Sequence, residues 1–496
     1  MLPTLPALRQ TASPIGPRAL AAATHTLVVL PPGKTLDALR EAAGAIPALD
    51  SLALWMKRRG TKAGELAKTP VAGSLPNGGL VSFVTLDPRQ TRFEQHTALR
   101  KGLQPLLDEH PGRLTIAVCG NPEQRRLAAE QALYVAWVNS LPLPTRGRKK
   151  AKPVAGIRLY GARDARGFAR VAALARGNLL ARTLTVMPPN ELTPGVYRRA
   201  LRGLAQKLRL RHEEFGFARL KRMGAGAFCA VAQGSEPQDA AIVHLSWRHP
   251  SAKRSVALVG KGICFDTGGH NLKDAKGMHG MHEDMNGSAV ALATLVAARI
   301  LELPLQLDCW LALAQNHIGP KSYKQNDVVK ALDGTSIEIM HTDAEGRMVL
   351  ADTLALAAGK EPALMIDFAT LTGVMVYALG NRYCGVFASS DELTAQAVAA
   401  GRASGERVTV FPLDEDYDAA LESKVADLRQ CLIAGEADAI LAARFLKRFT
   451  HDVPWLHLDL SAHRCAGGLG AVATDVTGFG VAWALALLDA PARGIK

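Results

Sequence analysis

This chain has few cysteines, few aromatic residues and no long hydrophobic run. Its seven cysteines are scattered over 496 residues, their number is odd, and no C-x-x-C pair occurs. The pattern argues against a disulfide framework and favours reduced thiols in a cytosolic protein. No apolar run reaches the roughly 18 residues of a membrane-spanning helix, so we expect a cytoplasmic protein without membrane contact.

The amino terminus gives little indication of another compartment. It lacks a basic segment followed by an apolar one, so it does not resemble a secretion signal. The first acidic residue is Asp37, which suits a transit peptide, but frequent prolines disfavour the helix that such a peptide forms. We therefore favour a protein that stays in the cytoplasm.

Acidic residues are scarce in the first third of the chain. The formal net charge is +14, and residues 1–160 hold 22 lysines and arginines against 10 acidic residues. Basic clusters at 57–59 and 146–152 leave nucleic acid open as a partner. Aromatic residues are not interleaved with them and no helix-turn-helix spacing is evident, so a solubilising surface and a basic linker are favoured.

Strand-like and helix-like segments alternate, which indicates an α/β protein. Because 496 residues exceed one ordinary core, we predict a smaller N-terminal α/β domain over 1–160, a connecting helix within 161–188, and a C-terminal α/β/α domain over 189–496. Continuous apolar strands predict a largely parallel central sheet in the latter. The predicted strands are 25–33, 113–122, 157–162, 255–260, 305–316, 362–373 and 455–462, and the predicted helices are 123–138, 163–186, 287–303 and 439–449.

Two polar runs interrupt the apolar second half, KGICFDTGGHNLKDAKGMHGMHED at 261–284 and HTDAEGR at 341–347. The first follows the predicted strand 255–260 and the second follows SIEIM at 336–340. Parallel sheets gather their chemistry beyond the carboxyl ends of their strands, so we expect both runs at that edge.

The two runs carry seven charged residues of interest. These are the carboxylates Asp266, Asp284, Asp343 and Glu345, with Lys261, Lys273 and Arg347. Four clustered carboxylates repel one another and are costly to desolvate, whereas two divalent cations would neutralise them. An extended backbone would project Asp343, Glu345 and Arg347 to one side, and Lys261 and Asp266 would lie on a loop after their strand. A salt-bridged network of loops is the alternative, and residue chemistry alone leaves both open.

The stretches VGKGICFDTGG at 259–269 and HTDAEGRMVLADTLALA at 341–357 resemble the leucyl aminopeptidase (cytosol aminopeptidase) family. All seven charged residues fall where that family places functional ones, and the spacing between the two motifs agrees. The resemblance continues through DFATLTG and WLHLDLSA, covers roughly residues 160–490, and is weak in the first domain. It implies that the C-terminal domain is catalytic.

The resemblance implies a metal-dependent aminopeptidase that removes the first residue from peptides with a free amino terminus. Asp266 and Glu345 would bridge two divalent metal ions, zinc or manganese. Lys261 and Asp284 would complete one coordination sphere, and Asp343 the other. A hydroxide formed from water between the metals would be the nucleophile. The family forms homohexamers, so a homohexamer is implied as well.

Two further residues would act on the reaction itself. Lys273, kept as an ammonium, would stabilise the oxyanion of the tetrahedral intermediate. Arg347 has no lone pair with which to accept a proton, and the resemblance has it hold a bicarbonate that shuttles the proton.

The resemblance also outlines a pocket for the first side chain of the substrate. Met281, Thr370 and Gly373 match its lining, and Ser461 and Arg464 fall on its far wall. Arg464 stands where an apolar residue is common. It would either welcome an acidic or polar first residue or point to solvent, and both remain open.

Other polar signals are weaker. His279, His282 and Glu283 stand in the order H-x-x-H-E, which matches neither helical zinc motif, so a surface loop is favoured. His341 replaces a usual asparagine, and a conservative polar exchange is favoured over a substrate contact. His457 lies in an apolar strand, so we interpret it as a core histidine. A nucleic-acid-binding regulator and a catalytically silent scaffold remain alternatives, and the complete set of seven disfavours the scaffold.

Overall fold

The computed structural model describes residues 2–43, 46, 48–148 and 151–489. Two α/β domains are built on two separate sheets, one of six strands and one of eight, which confirms the predicted fold class. Lys149 and Lys150 of the second basic cluster lie outside the described residues. Within the described ranges, no helix combines the length and apolar character needed to span a membrane.

The first domain contains a six-stranded sheet in the order β1-β6-β5-β2-β4-β3. All neighbouring strands run parallel except β3 and β4. The strands are β1 (Ala7–Thr11), β2 (His25–Leu30), β3 (Val71–Ser74), β4 (Leu80–Thr85), β5 (Arg113–Val118) and β6 (Gly156–Tyr160). The helices are α1 (Pro17–Ala21), α2 (Leu36–Ala43), α3 (Leu49–Arg59), α4 (Arg92–Leu107) and α5 (Pro122–Asn139), with a 3-10 helix at Ala63–Ala67.

The two longest helices of this domain begin at capping boxes. The Thr91 hydroxyl accepts from the backbone N–H of Glu94, whose carboxylate accepts from the N–H of Thr91. Asn121 and Gln124 repeat the exchange at the start of α5. These pairs satisfy backbone donors that the first helical turn leaves free, and they explain why both helices start directly after a turn.

His96 on α4 makes the stability of the protein depend on pH. The side chain is buried, its ring centroid lies 5.4 Å from that of Tyr134, and burial together with the Arg92 charge lowers its pKa to about 3. The unfolded chain binds a proton near pH 6.5 and the folded chain does not. Stability is therefore full above that pH and falls by about 1.4 kcal/mol per pH unit as the pH drops from 6.5 towards 3.

We expect His96→Gln to flatten the fall in unfolding free energy between pH 6.5 and pH 5. Urea denaturation at several pH values measures this slope. A variant of the exposed His110 serves as the control and should keep the wild-type slope. An unchanged slope in His96→Gln would contradict the assignment.

Helix α6 (Ala169–Thr185) connects the domains and begins later than the predicted residue 163. It carries the fully buried Arg182, which donates 2.6 Å to the backbone oxygen of Val138 in the first domain and 3.2 Å to that of Val476 in the second. A buried guanidinium needs all its donors satisfied, so this residue fastens the two domains to each other.

The second domain contains the remaining elements. Its strands are β7 (Arg211–Gly216), β8 (Ala241–Arg248), β9 (Arg254–Asp266), β10 (Leu305–Asn316), β11 (Val328–Lys330), β12 (Ser336–Glu338), β13 (Leu364–Ala369), β14 (Cys384–Ala388), β15 (Val408–Val410), β16 (Leu428–Arg429) and β17 (Trp455–Asp459). Its helices are α7 (Pro194–Leu208), α8 (Phe217–Met223), α9 (Gly226–Ala232), α10 (Ala275–Met278), α11 (Asn286–Ile300), α12 (Glu345–Ala358), α13 (Val374–Leu379), α14 (Asp391–Ser404), α15 (Asp438–Lys447) and α16 (Val481–Asp489). Three 3-10 helices lie at Met281–Met285, Glu415–Leu421 and Arg448–Thr450.

The eight-stranded sheet has the order β15-β14-β17-β13-β9-β10-β8-β7. Its four central strands, from β17 to β10, are mutually parallel, and β14 and β8 flank them in the antiparallel sense. Helices cover both faces, which is why the central strands are largely apolar. Strand β12 belongs to a separate three-stranded sheet with β11 and β16, so the expectation that both polar runs follow strands of the central sheet is wrong for the second run.

Candidate metal centre

Lys261 and Asp266 lie within a strand and not on a loop after it. Strand β9 continues to Asp266, six residues beyond the predicted end at 260, because β10 pairs with it along almost its full length. The strand therefore carries Lys261 and Asp266 into the protein interior, where both side chains are buried. Asp266 is fixed by Asn316, whose amide donates to Oδ1 at 2.8 Å.

A glycine pair turns the chain back over the end of β9. Gly268 and Gly269 have positive φ values of 86° and 68°, a region that favours glycine. A Cβ on Gly268 would lie 2.4 Å from the backbone oxygen of Asn271 and 3.0 Å from Oδ1 of Asp343. The turn thus requires glycine, and it returns Lys273 towards the strand, where its N–H donates to the Thr267 carbonyl.

The second polar run is helical where an extended backbone was expected. Glu345 is the first residue of α12 and Arg347 lies in its first turn, so the predicted one-sided alternation with Asp343 is wrong. Gly346 allows the helix to approach β9, because a Cβ there would lie 2.6 Å from Cε of Lys261. Close packing of helix on strand therefore brings Glu345 to the lysine.

Six charged side chains from the two runs converge as two linked ion-pair groups. Lys261 Nζ lies 2.8 Å from Oδ1 of Asp284 and 2.9 Å from Oε1 of Glu345. Lys273 Nζ lies 2.9 Å from Oδ2 of Asp266 and 2.5 Å from Oδ1 of Asp343. Four acids against two bases leave a net charge of −2 in a largely buried site.

That surplus negative charge shows in the pKa values of the acids. Burial, with the charges of Glu345 and Asp266, raises the pKa of Asp284 to about 8 and that of Asp343 to about 7. Burial and the Asp266 charge also raise the pKa of Glu345. Burial alone would lower the pKa of Lys261, but the adjacent carboxylates outweigh it and raise that pKa. The protein itself therefore does not supply enough positive charge to neutralise the four acids.

The unsatisfied oxygens fit divalent metal ions. Oδ2 of Asp284 and Oε2 of Glu345 are buried and accept no hydrogen bond from the described residues. Carboxylate oxygens of Asp266, Asp343 and Glu345 lie within 4.8 Å of one another, close enough to share a cation. Carboxylates with a nearby amine form a donor set suited to zinc or manganese.

The cluster opens into a cavity of about 420 Å³. All seven predicted charged residues line it, as do Met281, Thr370 and Gly373 of the predicted substrate pocket. Thr370 is tied to the cluster, since its hydroxyl donates to Oδ1 of Asp284 at 2.6 Å and its carbonyl accepts from Lys261. The cavity can therefore bring a small part of a substrate against the carboxylates.

Comparison with known sequences identifies the family. The catalytic-domain model of the cytosol aminopeptidase family matches residues 179–485, which is more than half of the chain. The chain belongs to the cytosol aminopeptidase family. A probable cytosol aminopeptidase of Methylorubrum populi is 40% identical over 322 residues, which cover 64% of this chain and 63% of that relative, so the match spans less than two thirds of its length. One of Methylorubrum extorquens is 39% identical over 353 residues and 69% of each chain.

Solved structures agree with this assignment. The cytosol aminopeptidase from Coxiella burnetii superposes with a TM-score of 0.81 at 26% identity, covering 98% of this chain and 99% of that one. The bottromycin maturation enzyme BotP in complex with Mn gives 0.80 at 31% identity, covering 95% and 99%. The fold similarity therefore extends over both domains, including the first, where the sequence resemblance is weak.

Two acidic residues of this cytosol aminopeptidase family member line the cavity and were not expected there. Asp459 ends β17, and its carboxylate accepts from the N–H of Leu371 and the hydroxyl of Thr372. Asp459 could have been predicted as a site residue, because it is an acidic residue at the end of an apolar strand, at the carboxyl edge of a sheet. Asp438 begins α15 and accepts from Arg347 at 2.6 Å. No local sequence signal links it to the site.

The prediction that H-x-x-H-E lies on a surface loop is wrong for Glu283. It lies in the 3-10 helix Met281–Met285, is buried, and its carboxylate contacts Arg464 and His463. Arg464 also lies 3.6 Å from Asp475 and half of its side chain is exposed. The cavity lining includes Ser461 and His463 but not Arg464. Its guanidinium thus neutralises Glu283 instead of facing the substrate pocket.

We expect Arg464→Met to leave the preference for the first substrate residue unchanged. The same substitution should lower the unfolding free energy by about 1 kcal/mol, since Glu283 loses a half-exposed partner. A panel of aminoacyl substrates and urea denaturation measure the two effects. Met281→Ala is the control that should shift the preference. A shift towards leucine or methionine in Arg464→Met would return that residue to the pocket.

Proposed function

We propose that this protein is a metal-dependent aminopeptidase that hydrolyses the N-terminal peptide bond of peptides. The observation that carries the proposal is the pair of buried carboxylate oxygens, on Asp284 and Glu345, that accept no hydrogen bond from the described residues. The pKa of Asp284 is raised to about 8, and both residues line a cavity of about 420 Å³. Membership of the cytosol aminopeptidase family supports the same activity.

Two divalent metal ions would be held by five residues. Asp266 and Glu345 would bridge them, Lys261 and Asp284 would complete one sphere, and Asp343 the other. Manganese or zinc suits this donor set, and a related structure, BotP, contains Mn. When bound, such ions polarise the scissile carbonyl, activate the attacking water and take the free amine of the substrate.

The two lysines suit different tasks because they differ in exposure. The Lys261 side chain is 4% exposed and lies between Asp284 and Glu345. This position suits a ligand once adjacent cations, which penalise the ammonium form, have favoured the neutral amine. The Lys273 side chain is 17% exposed and borders the cavity. An ammonium at that position would stabilise the negative charge that develops on the carbonyl oxygen during attack.

The substrate would be a peptide with a free amino terminus, with its first side chain against Met281, Thr370 and Gly373. These residues line the cavity beside Asp284 and Lys261. Membership of the cytosol aminopeptidase family supports action at the amino terminus of the peptide. This favours an exopeptidase over an enzyme that cuts within chains.

Assembly and domain limits follow the family by analogy. We propose a cytoplasmic homohexamer. Exposed apolar side chains support it, since Ile433, which lines the cavity, is 65% exposed and Tyr377, next to the lining residue Val376, is 93% exposed. The limits 1–160, 161–188 and 189–496 are proposed for the two domains and their connection. The sheets agree with them, since the first ends with β6 and the second begins with β7.

A panel of aminoacyl amides tests the activity, with the protein stripped of metal and then reloaded with Mn²⁺ or Zn²⁺. We expect cleavage only after reloading, and only of substrates with a free amine. N-acetylated substrates are the control. Failure to cleave any substrate with either metal would refute the proposal and revive the silent scaffold.

A further inference from the structure

A second cavity, of about 430 Å³, lies in the second domain at the opposite end of strand β10 from the metal cluster. Gln306 and Asp308 line it near the start of β10, whereas Asn316 at the end of that strand donates to Asp266 of the cluster. Because a strand rises about 3.3 Å per residue, Asp308 and Asn316 lie roughly 26 Å apart along it. The cavity is therefore separate from the candidate metal centre.

Three neighbouring strands change from apolar to mostly polar at the same level on this face of the sheet. Phe215 on β7, Ile242 on β8 and Ala312 on β10 form one cross-strand row within the core. Side chains two residues apart on a strand share a face. The next rows on that face are Glu213, His244 and Trp310, then Arg211, Ser246 and Asp308, and then Arg248 with Gln306. Since three segments distant in sequence change together, the polar floor belongs to the fold and not to one irregular loop.

Four basic side chains line this cavity, which we call the basic cavity. They are Arg209, Arg211, Arg248 and Lys360, and all four are exposed. Within the described part of the chain, none of them forms an ion pair with a carboxylate, unlike neighbouring groups such as Arg219. Like charges around one cavity repel each other, and a multivalent anion would remove that repulsion.

The two acidic residues of the basic cavity are already engaged by other side chains. The Glu213 carboxylate accepts from Arg219 at 2.8 Å. Asp308 is 7% exposed, and its oxygens lie 2.7 Å from Nε2 of His244 and 3.2 Å from the amide of Gln306. The four basic side chains therefore keep their charges without a carboxylate partner in the cavity.

Arg209 has a backbone conformation that glycine would adopt more easily. It ends α7 with φ 55° and ψ 47°, in the left-handed region, and its N–H donates to the last turn of the helix. Glycine is the usual residue at such a helix end, because a side chain is disfavoured there. The chain thus carries an arginine at a position with a conformational cost, and a role for its side chain in the basic cavity would account for it.

We propose that the basic cavity binds an oligophosphate, as the phosphate group of a nucleoside diphosphate or as inorganic pyrophosphate. Guanidinium groups match phosphate oxygens with paired N–H donors, and several negative charges are needed to neutralise four cations. Trp247 also lines the cavity and adds an aromatic surface that suits the base of a nucleotide. The volume lies within the ~300–1,000 Å³ of small-molecule sites. Binding here does not depend on the aminopeptidase activity.

Calorimetric titration of the full-length protein with ADP, pyrophosphate and adenosine tests the proposal. Metal-loaded and metal-stripped protein are both titrated, because phosphates also bind divalent ions. We expect one saturable site per chain for ADP or pyrophosphate in both forms, and none for adenosine. ADP that binds about 10-fold or more tightly than pyrophosphate would identify a nucleotide as the ligand, and similar affinities would identify the phosphates alone.

Arg211→Gln and Arg248→Gln locate the binding. Each should weaken the affinity for ADP and pyrophosphate about 10-fold or more, because each removes hydrogen bonds between charged groups. Arg222→Gln is the matched control, since Arg222 is exposed on α8 of the same domain and does not line the basic cavity. It makes the same change in net charge and should bind as wild type.

Arg209→Gly separates a binding role from a structural one. We expect it to raise the melting temperature, since glycine relieves the left-handed backbone, and to weaken binding of ADP and pyrophosphate at the same time. An arginine with only a structural role would not give this combination.

Four results would overturn the inference. The first is no saturable binding of ADP or pyrophosphate to either form of wild type, and the second is wild-type affinity in both Arg211→Gln and Arg248→Gln. The third is a changed oligomeric state of these variants in analytical ultracentrifugation without a changed affinity, which would make the cavity a subunit contact. The fourth is binding of a DNA duplex that both variants lose while ADP and pyrophosphate fail to bind wild type, which would assign the surface to nucleic acid.

Discussion

Glu345→Gln is expected to reduce kcat by about 10³-fold or more and to prevent the binding of two metal ions. Glu345 is 1% exposed, with Oε1 on Lys261 and Oε2 without a partner among the described residues. A carboxamide has the same shape but cannot bridge two cations with two anionic oxygens. Loss of several kcal/mol of charge stabilisation corresponds to a rate loss of this order.

Metal content per chain, measured on the purified variant with the kcat, tests this expectation. Glu338→Gln is the control, because Glu338 lies on the nearby strand β12 and accepts from Ser423 away from the cavity. It should keep both metals and its activity. The metal-free melting temperature of Glu345→Gln should stay close to that of metal-free wild type. Full turnover with two bound metals would remove Glu345 from the centre.

Lys273→Met is expected to lower kcat by about 10²- to 10³-fold with little change in KM. The reason is that its ammonium borders the cavity and would stabilise charge that exists only in the transition state. Both metals should remain, because the five proposed ligands are untouched. This separates Lys273 from Lys261, whose replacement should lower metal affinity as well.

Steady-state kinetics with metal analysis test the Lys273 expectation. Lys276→Met is the control, since Lys276 is exposed on α10 only three residues away. It should behave as wild type in both measurements. An equal loss of metal and activity in Lys273→Met would make that residue a structural or metal-binding group instead of an oxyanion stabiliser.

The sequence was most informative where local chemistry decides the structure. Apolar strands such as 305–316 were placed correctly, because burial on both faces leaves an uninterrupted hydrophobic run. The seven charged residues were found from their types and spacing, and the structure brings them around one cavity.

The errors arose where tertiary packing overrides local pattern. Strand β9 extends through Lys261 and Asp266 because β10 pairs with it, which polarity along the chain does not reveal. Glu345 opens a helix, although alternate charges suggested a strand. Asp438 reaches Arg347 from 91 positions away, and without a covariation signal no single-sequence argument predicts that pair.

The order of the central strands determines when during synthesis this site can exist. Strand β9, which carries Lys261 and Asp266, lies between β10 and β13, and β13 ends at Ala369. In a nascent chain that has exposed only the first polar run, the ligand residues of the second run are missing, so a cation finds an incomplete site. Metal capture at the proposed centre would therefore be a late event that follows release of more than two thirds of the polypeptide from the ribosome, and stalled shorter chains should not retain a divalent metal ion.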